Sequence, residues 1–218
     1  MTKLWLARLR SGLCLGGLYL AGALLWSGLS LPVSAQSRPS HRAIDTLPAQ
    51  ERVLLQRGRP VITGDNGRYT ARVLVRATPA QVWSVITDYG NFWRFLPNIA
   101  SSRVVERQGN RRVVEQVDRR RIALTTISSR VRLAITETPR RGFSFQLLEG
   151  NLKKMQGNWR LEPLRAYPGG PVTQVLITQQ IQAEPNQGIP AGLFYRLFRS
   201  QLSDHLEAIR TEIATRQS

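Results

Sequence analysis

Between Tyr69 and Ala183 apolar and polar positions mostly alternate, and the pattern switches to helical spacing near residues 79–96 and 190–215. Tyr69 to Ala77 alternates around Val73 and Val75 and predicts a strand. Thr78-Pro79-Ala80-Gln81 follows. A Thr side chain can accept from the free N–H groups at a helix start, and Pro suits the first helical position, so a helix begins here. Val82, Trp83, Val85 and Ile86 give it an apolar face, and Asp88-Tyr89-Gly90-Asn91 ends it. A second short helix, Phe92 to Leu96, stops at Pro97-Asn98.

Six strand-like runs come next, roughly Ser101–Arg107, Arg111–Val117, Ile122–Thr136, Gly142–Leu148, Lys154–Pro163 and Val172–Ala183. Turn residues separate them: Gln108-Gly109-Asn110, Pro139 to Gly142, Glu149-Gly150-Asn151 and Tyr167 to Gly170. Connections this short favour antiparallel neighbours and a meandering sheet. Pro190 to Thr215 then predicts a long helix with Leu193, Phe194, Leu197, Phe198, Leu202, Ile209 and Ile213 on one stripe. A sheet of this size curls, and the stripe is the natural cover for its concave face. The expected class is α+β.

The first 68 residues read differently. Lys3, Arg8 and Arg10 precede an apolar stretch from Leu13 to Val33, and Val33-Ser34-Ala35 offers small residues before Gln36. Residues 1–35 therefore read as a secretory signal, with an uncleaved membrane anchor as the alternative. Either reading places the rest of the chain across the bacterial inner membrane, in the periplasm or an equivalent lumen. Residues 36–68, rich in Pro and Gly, read as a linker with one short helical turn around Ala49 to Leu55, and 69–218 as one folded domain. The only cysteine, Cys14, lies in the signal, so a processed chain has no disulfide, thiolate ligand or cysteine nucleophile. The formal charge is +17, and loss of the three basic signal residues leaves 17 − 3 = +14, an excess that attracts anionic surfaces.

Residues 77–89, ATPAQVWSVITDY, and Phe92-Trp93-Arg94-Phe95-Leu96-Pro97-Asn98-Ile99, with Val104-Val105-Glu106-Arg107 and Gly109-Asn110 after them, resemble the opening of the polyketide cyclase/dehydrase family of START-like proteins. That family includes the coenzyme Q-binding group. The element order extends the resemblance over about 69–213. It implies a helix-grip fold, a curved antiparallel sheet wrapped around the C-terminal helix over a deep cavity for lipids, quinones or polyketides.

On such a fold the strand periodicity nominates the cavity wall. Ile127, Ser129 and Val131 share a face with Leu133 and Ile135, as do Phe143 and Phe145. Trp159 and Gln179 come from the next two strands, and Phe194, Phe198 and Leu202 from the helix. Ser129 and Gln179 are the expected polar groups in an otherwise apolar pocket. Tyr89, Phe92, Trp93 and Phe95 are expected at the cavity rim, where aromatics dip into a bilayer interface.

Catalytic candidates are scarce. The histidines are His41, in the linker, and His205, and no triad or metal-ligand spacing is present, so no catalytic residue, metal or cofactor is assigned. Glu106 and Glu115 could face each other, but Arg103, Arg107 and Arg112 are better partners. Arg111-Arg112, Arg119-Arg120-Arg121, Arg140-Arg141 and Lys153-Lys154 suit an anionic membrane surface. No nucleic-acid-binding motif accompanies them, and no feature sets an oligomeric state. The expectation is an exported, membrane-associated carrier of a hydrophobic small molecule such as a quinone, lipid, isoprenoid or pigment. Two alternatives stand: a cyclase or dehydratase using the same cavity, with Tyr89 or Arg130 as active groups, and a scaffold with a collapsed core.

Overall fold

The computed structural model describes residues 43–122, 125–187 and 190–218; the expected signal, residues 1–35, lies outside them. The alternating stretches form an eight-stranded antiparallel sheet. Its strands are β1 (Val61–Asp65), β2 (Arg68–Val75), β3 (Ile99–Gln108), β4 (Arg111–Ile122), β5 (Thr125–Thr138), β6 (Gly142–Gly150), β7 (Leu152–Arg165) and β8 (Val172–Pro185). The spatial order is β1-β2-β8-β7-β6-β5-β4-β3, so only the β2–β8 pairing departs from a meander. The helices are α1 (Ala49–Gln56), α2 (Pro79–Ile86), α3 (Phe92–Phe95) and α4 (Ala191–Thr215). This is the α+β helix-grip arrangement.

The start of α2 is built by the residues that predicted it. The Gln81 backbone N–H donates to Thr78 Oγ1 at 3.3 Å, and the Thr78 N–H donates to Gln81 Oε1 at 2.8 Å. This reciprocal pair satisfies two N–H groups that the first helical turn leaves free, and such caps contribute about 1 kcal/mol.

From residue 43 on, the stretch expected to be a linker is structured; its residues 36–42 lie outside the described residues. Residues Asp65 and Arg68 are joined by Asn66-Gly67, with φ of 45° and 82°, a left-handed pair that suits a two-residue hairpin turn. β1 thereby becomes an edge strand on β2. Short apolar content hid it: Val61 is its one buried residue. α1 packs on the outer face of the sheet, where Leu55 joins Ile44, Val61, Leu74, Leu164 and Leu176 in a small second core. That contact explains why Val73-Leu74-Val75 and Val175-Leu176-Ile177 break strict alternation, since these strand segments are covered on both faces.

α4 divides into two halves. Leu202, Leu206, Ile209 and Ile213 are buried in the main core, with Leu206 completing the predicted stripe. Leu193, Phe194, Leu197 and Phe198 are only half-buried, because an open cavity stands opposite them. This looser half is tied down by polar contacts. Arg199 donates from Nη1 to Gly64 O at 2.8 Å and from Nη2 to Ile62 O at 2.6 Å, fastening α4 to β1.

Candidate functional site

A cavity of about 300 Å3 lies between the concave face of the sheet and the first half of α4. That is at the small end of the range for ligand pockets, roughly 300–1,000 Å3. Ile127, Ser129, Val131, Phe143, Phe145, Trp159, Gln179, Phe194, Phe198 and Leu202 all line it. Strand periodicity brought the first seven together because each strand turns alternate side chains to the same face, and Phe194, Phe198 and Leu202 come from the apolar stripe of α4.

Exposure along β5 shows which end opens. Ile135 is 4% exposed, Leu133 and Val131 are buried, and Ile127 reaches 42%. Asn151, Leu152 and Leu193 line the cavity at this same end, which is therefore the mouth. The opposite end is closed by aromatics. Phe143 stacks on Trp159 with ring centroids 5.7 Å apart, and Tyr89 meets Phe143 edge-on at 6.1 Å and Phe92 at 5.6 Å.

The aromatic rim expected from the sequence is not where the mouth is. β2 delivers the chain into α2 and α3 at the closed end, so Tyr89 and Phe92 are buried inside. Tyr89 is 3% exposed, and burial, reinforced by the Glu137 carboxylate beside it, pushes its hydroxyl pKa up. The hydroxyl makes no hydrogen bond of normal geometry. Trp93 is 54% exposed, with the Arg94 guanidinium 5.8 Å from its ring centroid. Phe95 is half-buried beside Arg216. Neither Trp93 nor Phe95 lines the cavity.

Sequence reading missed the polar wall. β4 turns Val114, Gln116, Asp118 and Arg120 inward by period two, and all four line the cavity with Gln201 and His205 of α4. Arg120 Nη1 donates to Leu197 O at 3.3 Å, Gln201 Nε2 donates to Asp118 Oδ2, and His205 Nε2 lies 3.1 Å from Pro97 O. Burial raises the Asp118 pKa, against the opposing influence of Arg120 and the Gln201 hydrogen bond. Burial lowers His205 to about 4, so it is neutral at pH 7. Polar residues gave no apolar alternation to follow, although their i, i+2 spacing after Val114 was the available signal.

Arg130 does not reach the cavity. It lies on the outer face and, with Arg103 and Arg132, surrounds Glu115, whose pKa falls to about 2 under the hydrogen bonds from Arg130 and Arg103. Glu106 takes no part in this cluster. The basic clusters also separate: Arg119, Arg121 and Lys153 lie toward the mouth, whereas Arg111, Arg112, Arg140 and Arg141 lie at the closed end. Among the described residues no group of three or more His, Cys, Asp or Glu could hold a metal.

A match to the family described as polyketide cyclase / dehydrase and lipid transport spans residues 75–210. The chain belongs to that family. Its matched region begins with the last residue of β2 and ends within α4, so it contains every strand that walls the cavity. Solved structures carry the same fold. A START superfamily protein from Mycobacterium smegmatis aligns with a TM-score of 0.56 at 15% identity, over 67% of this chain and 96% of that one. The Zhui aromatase/cyclase from Streptomyces sp. R1128 gives 0.53 at 20% identity, over 69% and 95%. A STAR-related lipid transfer protein fragment from Xanthomonas axonopodis gives 0.53 at 15% identity, over 71% and 98%. No curated protein sequence matches the chain significantly.

Proposed function

We propose that this protein is an exported carrier that holds a hydrophobic small molecule in the cavity and docks by its mouth on an anionic membrane. The observation that carries the reading is the unfilled, mostly apolar space under the first half of α4, where the side chains of a core would otherwise meet. Close packing is the rule in protein interiors, and a void of this size forfeits contacts that a ligand restores. Burying apolar area supplies ~25 cal/mol per Å2, so holding a quinone, lipid, isoprenoid or pigment needs no reactive side chain. The lipid-transfer and START-like relatives support the same reading.

Membrane docking draws on the mouth itself. Ile127 is an exposed apolar residue there, and Arg119, Arg121 and Lys153 lie at the same end of the sheet. Anionic headgroups attract such a rim by about 1 kcal/mol per nearby charge. The apolar segment at residues 13–33 supports export, either as a cleaved signal or as an anchor.

A cyclase or dehydratase reading is favoured by one observation: Asp118 and His205, both with shifted pKa values, line the same cavity. Titration with the apolar fluorophore N-phenyl-1-naphthylamine tests the carrier reading. Saturable binding lost on Val131→Trp, in a variant that keeps its circular dichroism spectrum, supports it; no binding, or equal binding by the variant, contradicts it.

A further inference from the structure

We propose that the ligand carries a hydroxyl group, and that Arg120 and Asp118 recognise it in the mouth-side half of the cavity while the apolar body points toward Phe143 and Trp159. The inference rests on the carrier reading and names the ligand class for the same site.

β4 runs along one wall of the cavity, and residues two apart on it share a face, so Asp118 and Arg120 are neighbours there. Ser129 is the cross-strand partner of Asp118, and Ile127 that of Arg120. The Arg120 guanidinium spends Nη1 on the Leu197 carbonyl of α4, while Nη2 is out of solvent and without a hydrogen-bond partner. An arginine always carries its charge, so these donors stay unpaired unless a ligand meets them. Gln201 occupies Asp118 Oδ2, and no hydrogen bond to Oδ1 is present among the described residues. Two neighbouring residues of the cavity wall thus hold a donor and an acceptor that no protein group meets.

Ligand chemistries differ in how well they meet that pair. A hydrocarbon leaves both groups unpaired in a low-dielectric space, which costs free energy. A carbonyl accepts from Arg120 and leaves Asp118 unmet. A carboxylate or phosphate meets Arg120 but places a second negative charge beside Asp118, and like charges at close range repel. A hydroxyl accepts from Arg120 Nη2 and donates to Asp118, so both groups are satisfied by one uncharged atom group. Tyr89 and Gln179 line the aromatic end, but the ionic side chains of the wall, Asp118 and Arg120, lie toward the mouth, which orients the apolar body inward.

The test uses three probes with one skeleton, dodecane, dodecanol and dodecanoate, each displacing bound N-phenyl-1-naphthylamine at pH 8. Dodecanol should displace about tenfold better than dodecane, the scale of a hydrogen bond to a charged group, and better than dodecanoate. Asp118→Asn removes the negative charge and should invert the order of dodecanol and dodecanoate. Arg120→Met should reduce dodecanol to the level of dodecane. Should Arg120→Met fail to fold, the Asp118→Asn inversion decides alone. Equal displacement by dodecane and dodecanol, or an unchanged order in Asp118→Asn, overturns the proposal while leaving the carrier reading intact. Failure of the fluorophore itself to bind the wild type overturns the carrier reading and this one with it.

Discussion

Phe143 on β6 and Trp159 on β7, cross-strand partners, stack with ring centroids 5.7 Å apart and an interplanar angle of 26°, and together they close the inner end of the cavity. The pair sets the depth of the cavity. Phe143 is buried, so Phe143→Ala removes a ring that its neighbours can only partly replace. A loss of roughly 3–5 kcal/mol is expected in urea unfolding, together with a deeper cavity that accepts longer probes. An unchanged midpoint would mean that the ring is not part of the packed end.

Stability should fall on mild acidification through His205. Its pKa is lowered from 6.5 to about 4 by burial, so between those values the unfolded chain takes up a proton that the folded chain refuses. Stability from this group is therefore complete above pH 6.5 and is lost as the pH falls toward 4, by roughly 3 kcal/mol at most. His205→Gln should flatten the dependence of Tm on pH in that window. Glu115 acts lower: its stabilisation is present above 4.5 and is lost as the pH drops toward 2. The two windows barely overlap, so the wild-type curve should show two descending limbs.

Sequence reading succeeded where local chemistry and periodicity agreed. Thr78, Pro79 and Gln81 signalled the start of α2 because the cap is built from those same residues. The seven strand residues of the cavity were legible because their faces follow from period two once the strands are placed, and Phe194, Phe198 and Leu202 from the helical spacing of α4. β1 was missed although Asn66-Gly67 is a strong hairpin signal, since one buried valine gave the strand no apolar pattern. The mouth was placed at the wrong end because which loops surround an opening depends on strand pairing between distant segments. Arg120 reads as part of a surface Arg run, and only the pleat of β4 separates it from exposed Arg119 and Arg121.

Charge at the mouth should govern docking. Replacing Arg119 and Arg121 by Gln should weaken binding to phosphatidylglycerol-containing vesicles by about 2 kcal/mol, roughly thirtyfold, at low salt. The matched change at Arg140 and Arg141, at the closed end, should leave binding nearly unchanged. Equal losses from both pairs in a vesicle sedimentation assay would mean that net charge, and not the mouth, attracts the membrane.

The start of α2 offers a local check on the fold. Thr78→Ala removes one half of the reciprocal cap and should cost about 1 kcal/mol, read as a lower denaturant midpoint with an unchanged slope. Thr78→Ser keeps the acceptor oxygen and should recover most of it.

The carrier reading meets its most direct test in the contents of the cavity. Protein isolated without detergent from its native host can be extracted with organic solvent and the extract analysed by mass spectrometry. One hydrophobic compound bearing a hydroxyl, near one molecule per chain and absent from Val131→Trp protein, is the predicted result. An empty extract from protein that also takes up no member of a lipid, quinone and isoprenoid panel would contradict it.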